Sequence, residues 1–159
     1  MPLGSARPPS EAYRARGERA LARGAIIVGV AGRASHRTRG NIQPTGSPAN
    51  VVTILSVGAV DSDLRVADFS NGGKIDIVGP GVGVLSSWPL PQAYNTLSGT
   101  SAAAAHVAGV LALVMEADPH ASAPEIWRRM LATARQLNAP ASDVGAGLVQ
   151  APVSATTAP

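Results

Sequence analysis

From Ala102 to Met115 the sequence reads Ala-Ala-Ala-Ala-His-Val-Ala-Gly-Val-Leu-Ala-Leu-Val-Met, apolar at every position but His106. This stretch constrains the fold more than any other. It is rich in strong helix formers, and Pro119 forbids continuation beyond it. The spacing predicts a long helix from Thr100–Ser101 to about Asp118. The run falls short of the roughly 18 apolar residues that a membrane span needs, so no membrane partner is expected. A helix this apolar must be driven through a packed core. Ala102 to Ala105 and Gly109 keep it slim enough for that.

Around it, helix and strand signals alternate. Pro8-Pro9-Ser10 opens a first helix with Ser10 as N-cap, and Gly24 closes it in the left-handed conformation. Ala25 to Val30 is a short continuous apolar run of the kind buried on both faces of a parallel sheet. Val51 to Val57, continuing through Gly58-Ala59-Val60, reads as a second buried strand. Lys74 to Val78 alternates as a third, broken by Gly79-Pro80-Gly81. Val84-Leu85-Ser86 and Tyr94 to Ser98 read as short extended pieces. Ser122-Ala-Pro-Glu125 opens another helix, with Ser122 as cap and Glu125 at the positive end of its dipole. The alternation predicts an α/β fold with a mainly parallel sheet and flanking helices. Residues 10–151 form the expected domain, residues 1–9 a flexible N-terminus and residues 152–159 a disordered tail.

The 159 residues suit one domain with a real core. There is no cysteine, which excludes a disulfide-stapled scaffold. Aromatics are 3%, so small aliphatic side chains must fill the interior. The net charge of +3 is uneven: residues 1–40 hold eight Arg and two Glu, a balance of +6. Without aromatic interleaving this reads as a solvated face, and no nucleic-acid partner is expected. No Cys, His and Asp set has metal-ligand spacing, so neither metal nor cofactor is expected. Met1 to Pro9 lacks the basic-then-apolar layout of an export signal.

The chemistry sits at the start of the long helix, in Ser98-Gly-Thr-Ser-Ala-Ala-Ala-Ala-His-Val-Ala-Gly109. A serine there lies beside unpaired backbone N–H groups and the positive end of the helix dipole. Those N–H groups can stabilise an oxyanion forming next to the hydroxyl. Taken alone, Ser101 reads as a plain helix cap, and position alone does not make a nucleophile. The full string resembles the nucleophile signature of subtilisin-like serine proteases, Gly-Thr-Ser-x-Ala-Ala-x-His-Val-Ala-Gly. It departs from the family at Ala102, for the usual Met, and at Ala105, for the usual Pro. Pro48-Ala49, Val57-Gly-Ala-Val60, Phe69-Ser70, Gly79-Pro-Gly81 and Gly145-Ala-Gly-Leu-Val-Gln-Ala151 also resemble family segments, in the family's order.

The resemblance implies a partial subtilisin-like three-layer fold with a central nucleophile helix. It implies a serine endopeptidase acting on a peptide or protein substrate, with Ser101 forming an acyl-enzyme. In the family the chain order is Asp, His, Ser, and the Asp and His motifs lie upstream of the first helix read here. Neither motif is found, so the chain matches the serine-bearing half, and a separate chain supplying the Asp/His half is the implied partner. Complete relatives are commonly exported. The other reading is an inactive remnant or binding module of the same fold. His106 is no substitute base, because five helical residues carry it about 7.5 Å along and about 140° around from Ser101. It is expected to be a partly buried packing or hydrogen-bonding residue. After the first strand the family places Ala-Gly-Asn, whose Asn donates to the oxyanion. This chain has Ala31-Gly32-Arg33, with Ala31 and Gly32 in the substrate-binding region and Arg33 in the donor's place. Losing that donor costs about 10²–10³ in rate, a value that comes from this same family. The backbone N–H of Ser101 is the second expected donor.

Overall fold

A computed structural model of the chain describes residues 4–152. Three parallel strands form its sheet in the order β1-β2-β3: β1 (Val28–Val30), β2 (Leu55–Val60) and β3 (Ile77–Pro80). Val28 pairs with Leu55 and Val57 with Ile77. Every residue of β1 and β2 is buried, as continuous apolar runs require. The strands are shorter or later than the runs that announce them. Residues 50–54 form turns, with Asn50 N donating to Gly46 O and Ile54 N to Val51 O, so β2 begins only at Leu55. β3 includes Gly79 and Pro80 and does not break before them. Proline is tolerated at its last position, where one missing donor costs little. A segment not foreseen as a strand, residues 147–149, runs along the outer side of β3. There Val78 N donates to Gly147 O and Val149 N to Val78 O, both at 3.0 Å.

α2 (Thr100–Ala117) lies across the sheet and touches all three strands. Its residues Ala103, Ala104, Val107 and Leu111 pack with Leu55, Val57, Ala59 and Ile77. α3 (Ala123–Ala132) adds Ile126 and Met130, each 1% exposed or less. The expected cap, Ser122, forms a capping box with Glu125, which accepts from the Ser122 N–H and hydroxyl. α1 (Glu11–Ala22) starts after Ser10, and Gly24 has φ +79°. Gly17 of α1 lets the helix approach Thr53: a Cβ there would lie 2.2 Å from the Thr53 hydroxyl. On the sheet's other face, Val60, Ile75 and Val78 pack with Val144 and Leu148 around the short α4 (Ala141–Val144). β4 (Val84–Ser87) and β5 (Tyr94–Leu97) form a separate antiparallel hairpin.

Residues 4–9, expected to be loose, have hydrogen-bonded places. Ser5 and Ser47 exchange both backbone bonds, and Arg7 O accepts from Asn50 Nδ2. Apart from Pro152, the expected tail at 152–159 lies outside the described residues.

Candidate active site

Parallel strands bring their C-terminal ends, and the segments after them, to one edge of a sheet, where α/β folds bind ligands. The segment after β1 is Ala31 to Ser35. The segment after β3 is tied to the start of α2, because Gly99 N donates to Gly81 O at 2.8 Å. Two glycines permit this approach. A Cβ on Gly79 would lie 2.9 Å from Ala103 O, and one on Gly81 would lie 2.6 Å from Ala59 Cβ. The N-cap of α2 is Gly99, which has no side chain to spend on capping. Ser101 is therefore the second helical residue and not the cap. It is exposed, and among the described residues nothing hydrogen-bonds its hydroxyl.

The segment after β1 is held by a residue the sequence did not single out. Asn71 Oδ1 accepts from Ala34 N (2.9 Å), Ser35 N (3.1 Å) and Ser35 Oγ (3.1 Å), while its Nδ2 donates to Pro44 O (3.0 Å). Gly32, at φ +112°, fits because a Cβ would lie 2.5 Å from that Nδ2. Ala31 is fully buried; its N–H donates to Val57 O and its carbonyl accepts from Gly46 N. Arg33 lies over Phe69: its guanidinium carbon is 5.7 Å from the centre of the ring, a cation–π arrangement. Beside this loop opens a cavity of about 610 Å³, walled by residues 4–9, 32–34 and 43–46 with Asn50, Asn71 and Lys74. Lys74 donates to Ile54 O (2.6 Å) and Asp76 Oδ2 (2.5 Å), and burial pulls its pKa below the usual lysine value despite that carboxylate.

Known proteins bear directly on this arrangement. The model of the peptidase S8, or subtilase, family matches residues 3–147. The chain belongs to the subtilase family. It is 36% identical over 129 residues to subtilisin DY of Bacillus licheniformis, covering 80% of this chain and 46% of that protein. To subtilisin Savinase of Lederbergia lenta it is 36% identical over 152 residues, covering 95% and 53%. Among solved structures, a protease from Pseudoalteromonas arctica PAMC 21717 superposes with a TM-score of 0.81 at 30% identity, covering 94% of this chain and 47% of that one. The subtilase described here thus spans about half the length of these relatives.

None of the three histidines of this subtilase hydrogen-bonds Ser101. His106 is exposed, against the expected partial burial, and its Nδ1 lies 3.0 Å from Ala102 O one turn back on α2. His36 is exposed in the turn before Arg37–Arg39, and His120 is exposed beyond the end of α2. Asp61 and Asp68 hold turns. Asp61 Oδ1 accepts from Asp63 N and Arg65 N. Asp68 Oδ1 accepts from Thr38 N, a bond that holds its carboxyl below the usual range. Among the described residues no three His, Asp or Glu gather where a metal ion could be held.

Proposed function

We propose that this chain carries the nucleophile part of a subtilisin-like serine endopeptidase site, with Ser101 as the attacking residue. The observation that supports it is the placing of Ser101: exposed, two residues past a side-chain-free cap, at the ligand-binding edge of a parallel sheet. A plain capping serine would occupy position 99. In the proposed reaction Ser101 Oγ bonds to the peptide carbonyl carbon and its proton passes to a base. The carbonyl oxygen becomes an oxyanion facing the Ser101 N–H. Collapse breaks the C–N bond as the base returns the proton to the leaving amine, and water then hydrolyses the ester. Gly32 borders the substrate and the cavity beside it accepts one of the substrate's side chains, while Ala31, fully buried, supports Gly32 from behind.

In this reading the base and the aspartate that orients it belong to a segment other than residues 1–159; the Ser101 hydroxyl, which has no hydrogen-bond partner among the described residues, supports it. Arg33 in the donor's place, stacked on Phe69, supports the second reading: an inactive or binding version of the fold. Labelling by a fluorophosphonate probe separates the two. The peptidase reading expects labelling of wild-type protein, alone or with the complementary segment, that Ser101→Ala abolishes. An unlabelled serine in both preparations refutes it.

A further inference from the structure

The cavity beside Gly32 is charged with one sign. Its wall carries three cations, Arg7, Arg33 and Lys74, and no Asp or Glu. They come from three separate parts of the chain, so folding brings them together and no local run of charge does. Like charges around a concave wall of low dielectric focus their field and draw the opposite charge. At about 610 Å³ the cavity has room for an amino-acid side chain. No aromatic ring lines it, so it offers bases no platform to stack on.

The three cations are not equally occupied. Lys74 is answered by Asp76, which lies behind the wall and takes its Nζ at 2.5 Å. That pair cancels, and the two arginine charges remain. Among the described residues neither Arg7 nor Arg33 forms an ion pair, and neither guanidinium donates a hydrogen bond. The Phe69 ring beside Arg33 holds the guanidinium in place but offers its N–H groups no oxygen. Arg7 stands on a fixed backbone: its carbonyl accepts from Asn50 Nδ2 at 3.0 Å, and Ser5, two residues earlier, is bonded to Ser47. Two placed guanidinium groups without a carboxylate are the usual equipment for recognising one, because the planar fork matches its two oxygens.

We infer that this cavity selects an acidic side chain: the substrates are peptides with Glu or Asp at the residue that enters beside Gly32, and Arg7 and Arg33 bind its carboxylate. This selectivity deepens the proposed function and rests on it for laying a peptide across Gly32. A Lys or Arg side chain entering the cavity meets two uncompensated like charges. A Leu side chain finds room there but leaves both guanidinium groups without an acceptor. A Gln side chain has the shape of Glu and lacks the charge, so it isolates the electrostatic part of the preference.

The test is fluorescence anisotropy of labelled alanine peptides with one central Glu, Gln, Leu or Lys, titrated with the 159-residue chain carrying Ser101→Ala so that nothing is cleaved. The Glu peptide should bind about tenfold tighter than the Gln peptide, the difference between a charge-assisted and a neutral hydrogen bond. The Lys peptide should bind most weakly, and added salt should narrow the gap between Glu and Gln. Replacing both arginines, Arg7→Gln with Arg33→Gln, should bring Glu and Gln to equal affinity while the Leu peptide and the circular dichroism stay unchanged; both side chains are exposed, so the fold does not depend on them. Equal binding of Glu and Gln by the parent chain overturns the inference. So does a Glu preference that survives loss of both arginines, no peptide binding at all, or a single-stranded oligonucleotide held more tightly than the Glu peptide. Fluorophosphonate labelling of the chain with Ser101 intact keeps the two claims apart. Labelling without a Glu preference refutes the acidic pocket alone, and a Glu preference on a chain that never labels refutes the peptidase reading alone.

Discussion

Replacing Gly81 by alanine adds one methyl group where β3 hands over to the start of α2. The new carbon would lie 2.6 Å from Ala59 Cβ, 2.9 Å from Gly99 O and 3.2 Å from Ala103 Cβ. Carbon atoms settle at about 3.5–4.0 Å, so the Ala59 contact is short by about 1 Å. The three neighbours belong to β2, the cap and α2, and no single retreat relieves them all. Overpacking of this kind costs about 1–3 kcal/mol. Against it, the substitution narrows the unfolded ensemble, worth about 0.4–1 kcal/mol at a position whose backbone suits alanine. Gly81 is outside the left-handed region, so that gain is available. The clash still wins, by about 1–2 kcal/mol. With a urea slope of about 2 kcal/mol/M, the midpoint followed by tryptophan fluorescence should fall by about 0.5–1 M. A helix start displaced by about 1 Å should also slow any reaction of Ser101 by about 10²-fold, read as the rate of fluorophosphonate labelling. Gly109→Ala is the matched control: it fills empty space in a helix interior and should raise stability by about 1 kcal/mol. A Gly81→Ala protein as stable as its parent would refute the claim that backbone contact with β3 sets the position of Ser101.

Asn71→Ala removes the acceptor of Ala34 N and of the buried Ser35 hydroxyl, while Ser35 N keeps Phe69 O; at about 1–3 kcal/mol per buried group it should lower the urea midpoint by an amount comparable to Gly81→Ala, and speed amide exchange at Ala34. The Glu125 carboxyl is held below its usual range, first by the Ser122 hydroxyl and then by the Ser122 N–H. Its folded value is depressed, so the stability it adds is full above about pH 4.5 and fades as pH falls through the lowered value. Acid titrations followed by circular dichroism should therefore lose steepness below that pH in Glu125→Gln. Arg33→Asn gives up a cation–π contact worth about 0.5–1 kcal/mol. It should raise the labelling rate of Ser101 in the presence of the complementary segment at least tenfold, by restoring a short neutral donor.

The nucleophile helix and its neighbours were legible because their signals are local. Pro119, Gly24 and the Ser122–Glu125 pair mark ends by chemistry that needs no distant partner. Strand limits were less legible. An apolar run says that Val51 to Val60 is buried, but residues 50–54 satisfy their backbone by turns following Pro48, and periodicity cannot see that. Residues 4–9 looked loose by composition, yet Ser47 fixes them through backbone bonds that no side chain advertises. At the site, Ser101 was readable from its motif and Asn71 was not. Its importance lies in four bonds to residues far away in sequence, and an Asn next to Gly72 in a turn-rich stretch is what any loop offers. The stacking of Arg33 on Phe69 is equally non-local.

The distribution of internal constraints across the molecule supports reading the Ser101 edge as a place of assembly. Away from it, stability is built in depth: Met130 and Ile126 are sealed beneath α3, and Arg37 and Asp143 pair at 2.9 Å with each side chain only 13% exposed. A pair so shielded is screened little by salt and is costly to break one-sidedly. At the site edge the chain does the opposite. α2 begins on a glycine that caps nothing, its first turn carries no acidic residue, and the serine beside it has no described partner. Each omission forgoes a stabilisation that α3 takes at its own start with Ser122 and Glu125. One helix is finished by its own sequence, while the other is left with donors and an apolar flank unspent. That contrast within a single chain is what a site completed by substrate and by a complementary segment would require.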